Sequence, residues 1–86
     1  MKYAITSEYV AQEPHIVAFE TDAQRFAHLE EFGGECITQK EARKRLESQV
    51  RLAIRYGCLS WYMQLWEVRF LSMEELYTTY RRAYCY

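Results

Sequence analysis

Eighty-six residues, half of them hydrophobic and 27% charged, suffice for one globular domain with a thin core and do not resemble a disordered chain. A net charge of −1 excludes the strongly basic balance of most small nucleic-acid binders. Met1 to Glu8 hold no apolar run of the signal-peptide type, and the longest uncharged run, Tyr56 to Trp66, is too short to span a bilayer. Cys36, Cys58 and Cys85 are odd in number and far apart, which suits reduced, mostly packed thiols and a cytoplasmic setting.

In chain order, Tyr3, Ile5, Ser7 and Tyr9 alternate with Ala4, Thr6, Glu8 and Val10, the period of a strand. Gln12-Glu13-Pro14 breaks that run, and His15 to Phe19 reads as a second strand closing an antiparallel hairpin. Thr21 to Gln24 has the form of a capping box and predicts a helix with Phe26 and Leu29 inward, beside Ala23 and Ala27. Gly33-Gly34 supplies its stop, a better reading than a ligand loop. Thr38 to Glu41 is a second capping box, opening a long helix that ends at Gly57 with Ala42, Leu46, Val50 and Ala53 inward. From Leu59 to Phe70 a helical stripe and an alternating pattern compete; the Trp, Tyr, Val and Phe content favours a third strand over 59–70. Ser72 to Glu75 opens the last helix, which runs to near Tyr84 with Met73, Leu76, Tyr80 and Tyr84 on one side. The expected fold is therefore α+β, a small two-layer sandwich of about three mostly antiparallel strands and three helices in the order β-β-α-α-β-α, with residues 1–86 as a single domain.

Groups able to converge for catalysis are few. His15 and His28 are the only histidines, and neither has a spacing that suggests a metal site or a nucleophile–base pair. No phosphate-cradling glycine loop, zinc-binding spacing or nucleophile elbow occurs. Glu74-Glu75 falls in a first helical turn, where negative charge complements the macrodipole. No enzyme, cofactor or metal is expected.

Two features remain. Residues 1–35 hold two basic and seven acidic side chains, whereas 36–57 hold six basic and two acidic, so the charge is segregated along the chain. On a helical wheel Lys40, Lys44, Arg51 and Arg55 fall within roughly 60° of one another, with Ser48 beside them and Glu47 on their edge, opposite the apolar face. Such a stripe is a solvated face paired with acidic residues of its own or a second chain, or a docking surface for an acidic partner. The other feature is aromatic: Tyr56, Trp61, Tyr62, Trp66, Phe70, Tyr77, Tyr80, Tyr84 and Tyr86 exceed what one thin core easily encloses. Alternation would put Trp61 and Met63 on one sheet face and Tyr62 on the other, leaving one set exposed. Trp and Tyr are common interface anchors.

The expected function is a non-catalytic protein-interaction module, of the kind that phages and mobile elements encode as inhibitors or regulators, binding and occluding a macromolecular partner. The expected partner is a protein with an acidic surface, met through Lys40, Lys44, Arg51 and Arg55, with Trp61, Tyr62 and Trp66 as anchors; a homodimer would also use the aromatic surplus. The alternatives are a nucleic-acid-associated regulator using helix 39–56, disfavoured by the net charge, and a small-ligand domain with an aromatic pocket. No membrane role is expected.

Overall fold

The computed structural model describes residues 1–84; Cys85 and Tyr86, counted above among the thiols and the aromatics, lie outside the described residues. The fold class is α+β, with one three-stranded antiparallel sheet and three α-helices. The described residues gather into two compact units, the first ending at Ala42 and the second beginning at Arg43. No helix among the described residues is long and apolar enough to cross a membrane.

The first unit is built on strand β1 (Lys2–Thr6), which pairs on one side with β2 (His15–Phe19) and on the other with β3 (Glu35–Ile37). The β1–β2 register sets Ala4 opposite Val17 and Lys2 opposite Phe19. The hairpin forms as expected, but β1 stops at Thr6, short of the alternation that runs on to Val10. Ser7 Oγ donates to the Gln12 carbonyl and Gln12 N–H to the Tyr9 carbonyl, so local turn bonds outcompete the ladder there. Tyr9 and Val10 consequently lie 71% and 89% exposed at the hairpin tip.

Helix α1 (Asp22–Phe32) starts at a complete capping box, Thr21 Oγ1 accepting from Gln24 N–H and Gln24 Oε1 accepting from Thr21 N–H. Its inner face is a correction to the sequence reading. Phe26 is exposed, as are Ala23 and Ala27, whereas His28 turns inward between the rings of Phe19 and Phe32. Residues opposite one another in an antiparallel pair share a face, so the Phe19 contact places α1 on the face of Ala4, Thr6 and Val17, all buried. The helix stops at Gly33, whose N–H donates to the Leu29 carbonyl at a φ of 77°. A Cβ at Gly34 would collide with the Ile5 carbonyl oxygen and lie 2.9 Å from Thr6 Cβ. The glycine pair thus ends α1 and lets the chain come down against β1, which β3 then extends.

That short strand, Glu35–Ile37, is the third strand of the sheet, in place of the one expected over 59–70. Helix α2 (Gln39–Arg55), which lies in the second unit from Arg43 onward, buries Leu46, Val50 and Ala53 as its periodicity predicts. It ends in a Schellman motif, with Cys58 N–H bonded to the Ala53 carbonyl and Gly57 N–H to the Ile54 carbonyl, Gly57 having a φ of 86°. Tight turns follow, and then a 3₁₀-helix (Leu65–Phe70), closed by the Glu67 carboxylate accepting from Gln64 N–H. Its three-residue turns bury Val68 completely and turn Trp66 and Phe70 outward. Helix α3 (Met73–Tyr84) opens on the expected capping box, Ser72 with Glu75, and buries Leu76, Thr79 and Tyr80, while Tyr84 is 41% exposed.

Candidate functional site

The basic stripe lies along α2, but it is not uniformly charged. Lys40, Lys44 and Arg55 are exposed and form no ion pair among the described residues. Arg51 is half-buried and bound, its Nη2 2.9 Å from Glu47 Oε1. The second oxygen of Glu47 accepts from Arg43 Nε at 2.9 Å, so one carboxylate serves two guanidinium groups one helical turn away on either side. Arg43 also donates from Nη2 to the Arg69 carbonyl at 3.3 Å, tying α2 to the 3₁₀-helix. Glu47, which the wheel placed at the edge of the stripe, therefore removes Arg51 from its free charge.

The aromatic residues tell a clearer story. The most deeply buried core residues of the second unit are aliphatic: Leu46, Val50, Leu59, Val68 and Leu76 are buried to 2% or less, and of the rings beside them Tyr80 is buried, at 4%. Trp61 is 77% exposed, Trp66 65%, Phe70 67% and Tyr56 77%. Because 59–70 is no strand, the alternation expected there is absent. Met63 turns inward with Leu59 and Val68, and Trp61 and Tyr62 stand side by side as an edge-to-face pair with centroids 5.6 Å apart. Trp66 and Phe70, four positions apart in the 3₁₀-helix, make a second edge-to-face pair at 6.4 Å. Each pair carries a cation: Arg82 of α3 lies over the Tyr62 ring at 4.8 Å, and Arg69 over the Phe70 ring at 4.8 Å. Sequence reasoning found Trp61, Tyr62 and Trp66 but missed Phe70, Arg69 and Arg82. The signal was the helical spacing of Trp66 and Phe70; for Arg82 there was none, since its ring is twenty residues away.

Tyr84 closes one end of this unit by donating its hydroxyl to the Gln49 carbonyl at 2.8 Å. Burial pushes its phenol above the ordinary value, and Cys58 and Tyr56 add to that rise. Cys36 and Cys58 are both exposed, contrary to the packed thiols expected. His28 is half-buried, and because a carbonyl only accepts, its Nε2 carries the proton donated to the Ser7 carbonyl. His15 faces Glu8 at 3.8 Å. Among the described residues no three His, Cys, Asp or Glu side chains converge as metal ligands. A concavity of about 340 Å³ in the first unit is lined by Lys2, Arg25, Cys36 and Thr38 among others, with Tyr3 as its single aromatic.

Comparison of the chain with models of protein families, with characterised proteins and with solved structures returned no match.

Proposed function

We propose that the chain is a non-catalytic protein-interaction module whose partner face is the outward surface of residues 61–70. The observation that carries this reading is the exposure of Trp61, Trp66 and Phe70 beside a core built from Leu46, Val50, Leu59, Val68, Leu76 and Tyr80. Exposed rings set in edge-to-face pairs can bury large area on a partner at little entropic cost. The partner is a protein with an acidic surface, drawn in by the unpaired Lys40, Lys44 and Arg55. Occlusion of that partner, as a small inhibitor or regulator, is the mode of action such a face supports. The two exposed thiols, Cys36 and Cys58, favour a reducing, cytoplasmic compartment.

The test is a paired affinity capture from the native cell, with wild type and a Trp61→Ser/Trp66→Ser variant. The variant should keep its circular dichroism and melting temperature, because neither ring is packed in the core, and should lose the proteins that wild type retains. Identical captured sets from both chains would refute the reading. Sedimentation over a hundredfold concentration range separates a second copy of the chain from a foreign partner as the occupant of this face.

A further inference from the structure

We infer that Arg69 and Arg82 are the charged anchors of this face, each placed to receive a carboxylate from an acidic segment of the partner protein. The inference rests on reading 61–70 as the partner face, and it assigns the charged recognition to residues other than the α2 stripe. Both guanidinium groups are exposed, and among the described residues neither has a carboxylate partner. Each lies at 4.8 Å over an exposed ring, Arg82 on Tyr62 and Arg69 on Phe70. A guanidinium held over a ring by cation–π attraction needs none of its N–H donors for that contact, so the donors around its rim remain available. That rim matches a carboxylate through two parallel hydrogen bonds, and the ring beneath has already restricted the side chain that must be ordered. In the α2 stripe Arg51 is already paired with Glu47, and Lys40 and Lys44 are hydrated point charges on flexible stems.

Carboxylates rather than nucleic-acid phosphates fit this pair. Seven acidic residues within positions 1–35 and a net charge of −1 oppose a polyanionic backbone, whereas two discrete guanidinium forks suit a short acidic peptide stretch. Next to each fork an exposed ring, Trp61 or Trp66, offers apolar contact to the residues flanking the carboxylates.

The experiment is a titration of the ¹⁵N-labelled chain, reading the arginine Nε–H and tryptophan indole N–H resonances. The probes are hexaglutamate, hexaglutamine and hexathymidylate at matched ionic strength. Hexaglutamate should move the Arg69 and Arg82 signals saturably, and hexaglutamine should not. Arg69→Lys/Arg82→Lys keeps both charges but loses the planar fork, and should weaken hexaglutamate binding about tenfold. Tyr62→Leu/Phe70→Leu leaves the arginines and removes their platforms, and should weaken it in the same direction. Unchanged affinity in the lysine variant, arginine shifts confined to Arg51 and Arg55 of α2, or tighter binding of hexathymidylate would each overturn the assignment. Indole shifts at Trp61 and Trp66 without arginine shifts would overturn it while leaving the partner face standing. No shift with any probe, together with identical captured sets in the paired capture above, would remove both.

Discussion

Helices α1 and α2 are attached to the protein by opposite means. Helix α2 drives Leu46 and Val50 to complete burial, so its position rests on aliphatic area withdrawn from water. Helix α1 has no buried residue at all. It is held by Arg25 Nη1 donating to the Tyr3 carbonyl at 3.1 Å, by His28 bonded to the Ser7 carbonyl, and by the Thr6 hydroxyl donating to the Gly33 carbonyl. The rings of Phe19 and Phe32 flank His28. The contrast shows that an apolar residue at helical spacing is not evidence of burial when polar groups can satisfy the backbone of the neighbouring strand.

The largest expected effect tests that contrast directly. Leu46→Ala should cost about 2–5 kcal/mol, the usual loss for truncating a fully buried leucine. Phe26→Ala on α1 should stay within about 0.5 kcal/mol of wild type despite removing a larger side chain, because Phe26 is 64% exposed. Urea melts of both variants measure this, and comparable losses would mean that α1 does bury its apolar stripe.

The two glycines after α1 sharpen the same comparison at the point where the helix meets the sheet. Gly33→Ala should cost about 1–3 kcal/mol, for backbone conformation alone, since a Cβ there meets nothing within 4 Å. Gly34→Ala should cost more, because its Cβ has to displace β1 as well as adopt a φ of 119°. Chemical denaturation of the two variants side by side checks the order, and equal losses would show that β1 gives way freely.

The smallest effect lies at the start of α3. Hydrogen bonds from Ser72, backbone first and then side chain, hold the Glu75 carboxyl below its ordinary value of 4.5, with desolvation opposing weakly. A depressed carboxylate contributes stability that is present above its unfolded value and is lost as pH falls through its folded value. Thermal melts should therefore show the α3 cap loosening only below about pH 4.5. Ser72→Ala should cost about 1 kcal/mol near neutral pH and lessen that acid-dependent loss. An unchanged acid profile in Ser72→Ala would show that the cap does not set it.

Of the candidate site, the tryptophans and Tyr62 were legible because the aromatic surplus is a matter of composition, and the stripe because α2 is a regular helix. The neutralising role of Glu47 was half legible: the wheel put it beside the stripe, but only side-chain geometry shows one carboxylate bridging Arg43 and Arg51. The stacking of Arg82 on Tyr62 was not legible, because no local pattern links residues twenty positions apart.

By itself the sequence determined the features whose causes lie within a few residues. These are the capping boxes at Thr21 and Ser72, the glycine stops at Gly33 and Gly57, the hairpin, and the inner face of α2. Each depends on neighbouring backbone donors or on a periodicity maintained over several turns. Tertiary structure alone decided where the third strand lies. Glu35-Cys36-Ile37 has no strand pattern of its own and becomes one because β1 offers an edge, antiparallel to it, where Gly34 lets the chain approach. The aromatic segment 59–70, expected as the third strand, holds instead a 3₁₀-helix around Val68, with Trp66 and Phe70 facing outward. Strand pairing is a competition among segments for one free edge, and a contest between distant parts of the chain cannot be read from either part alone.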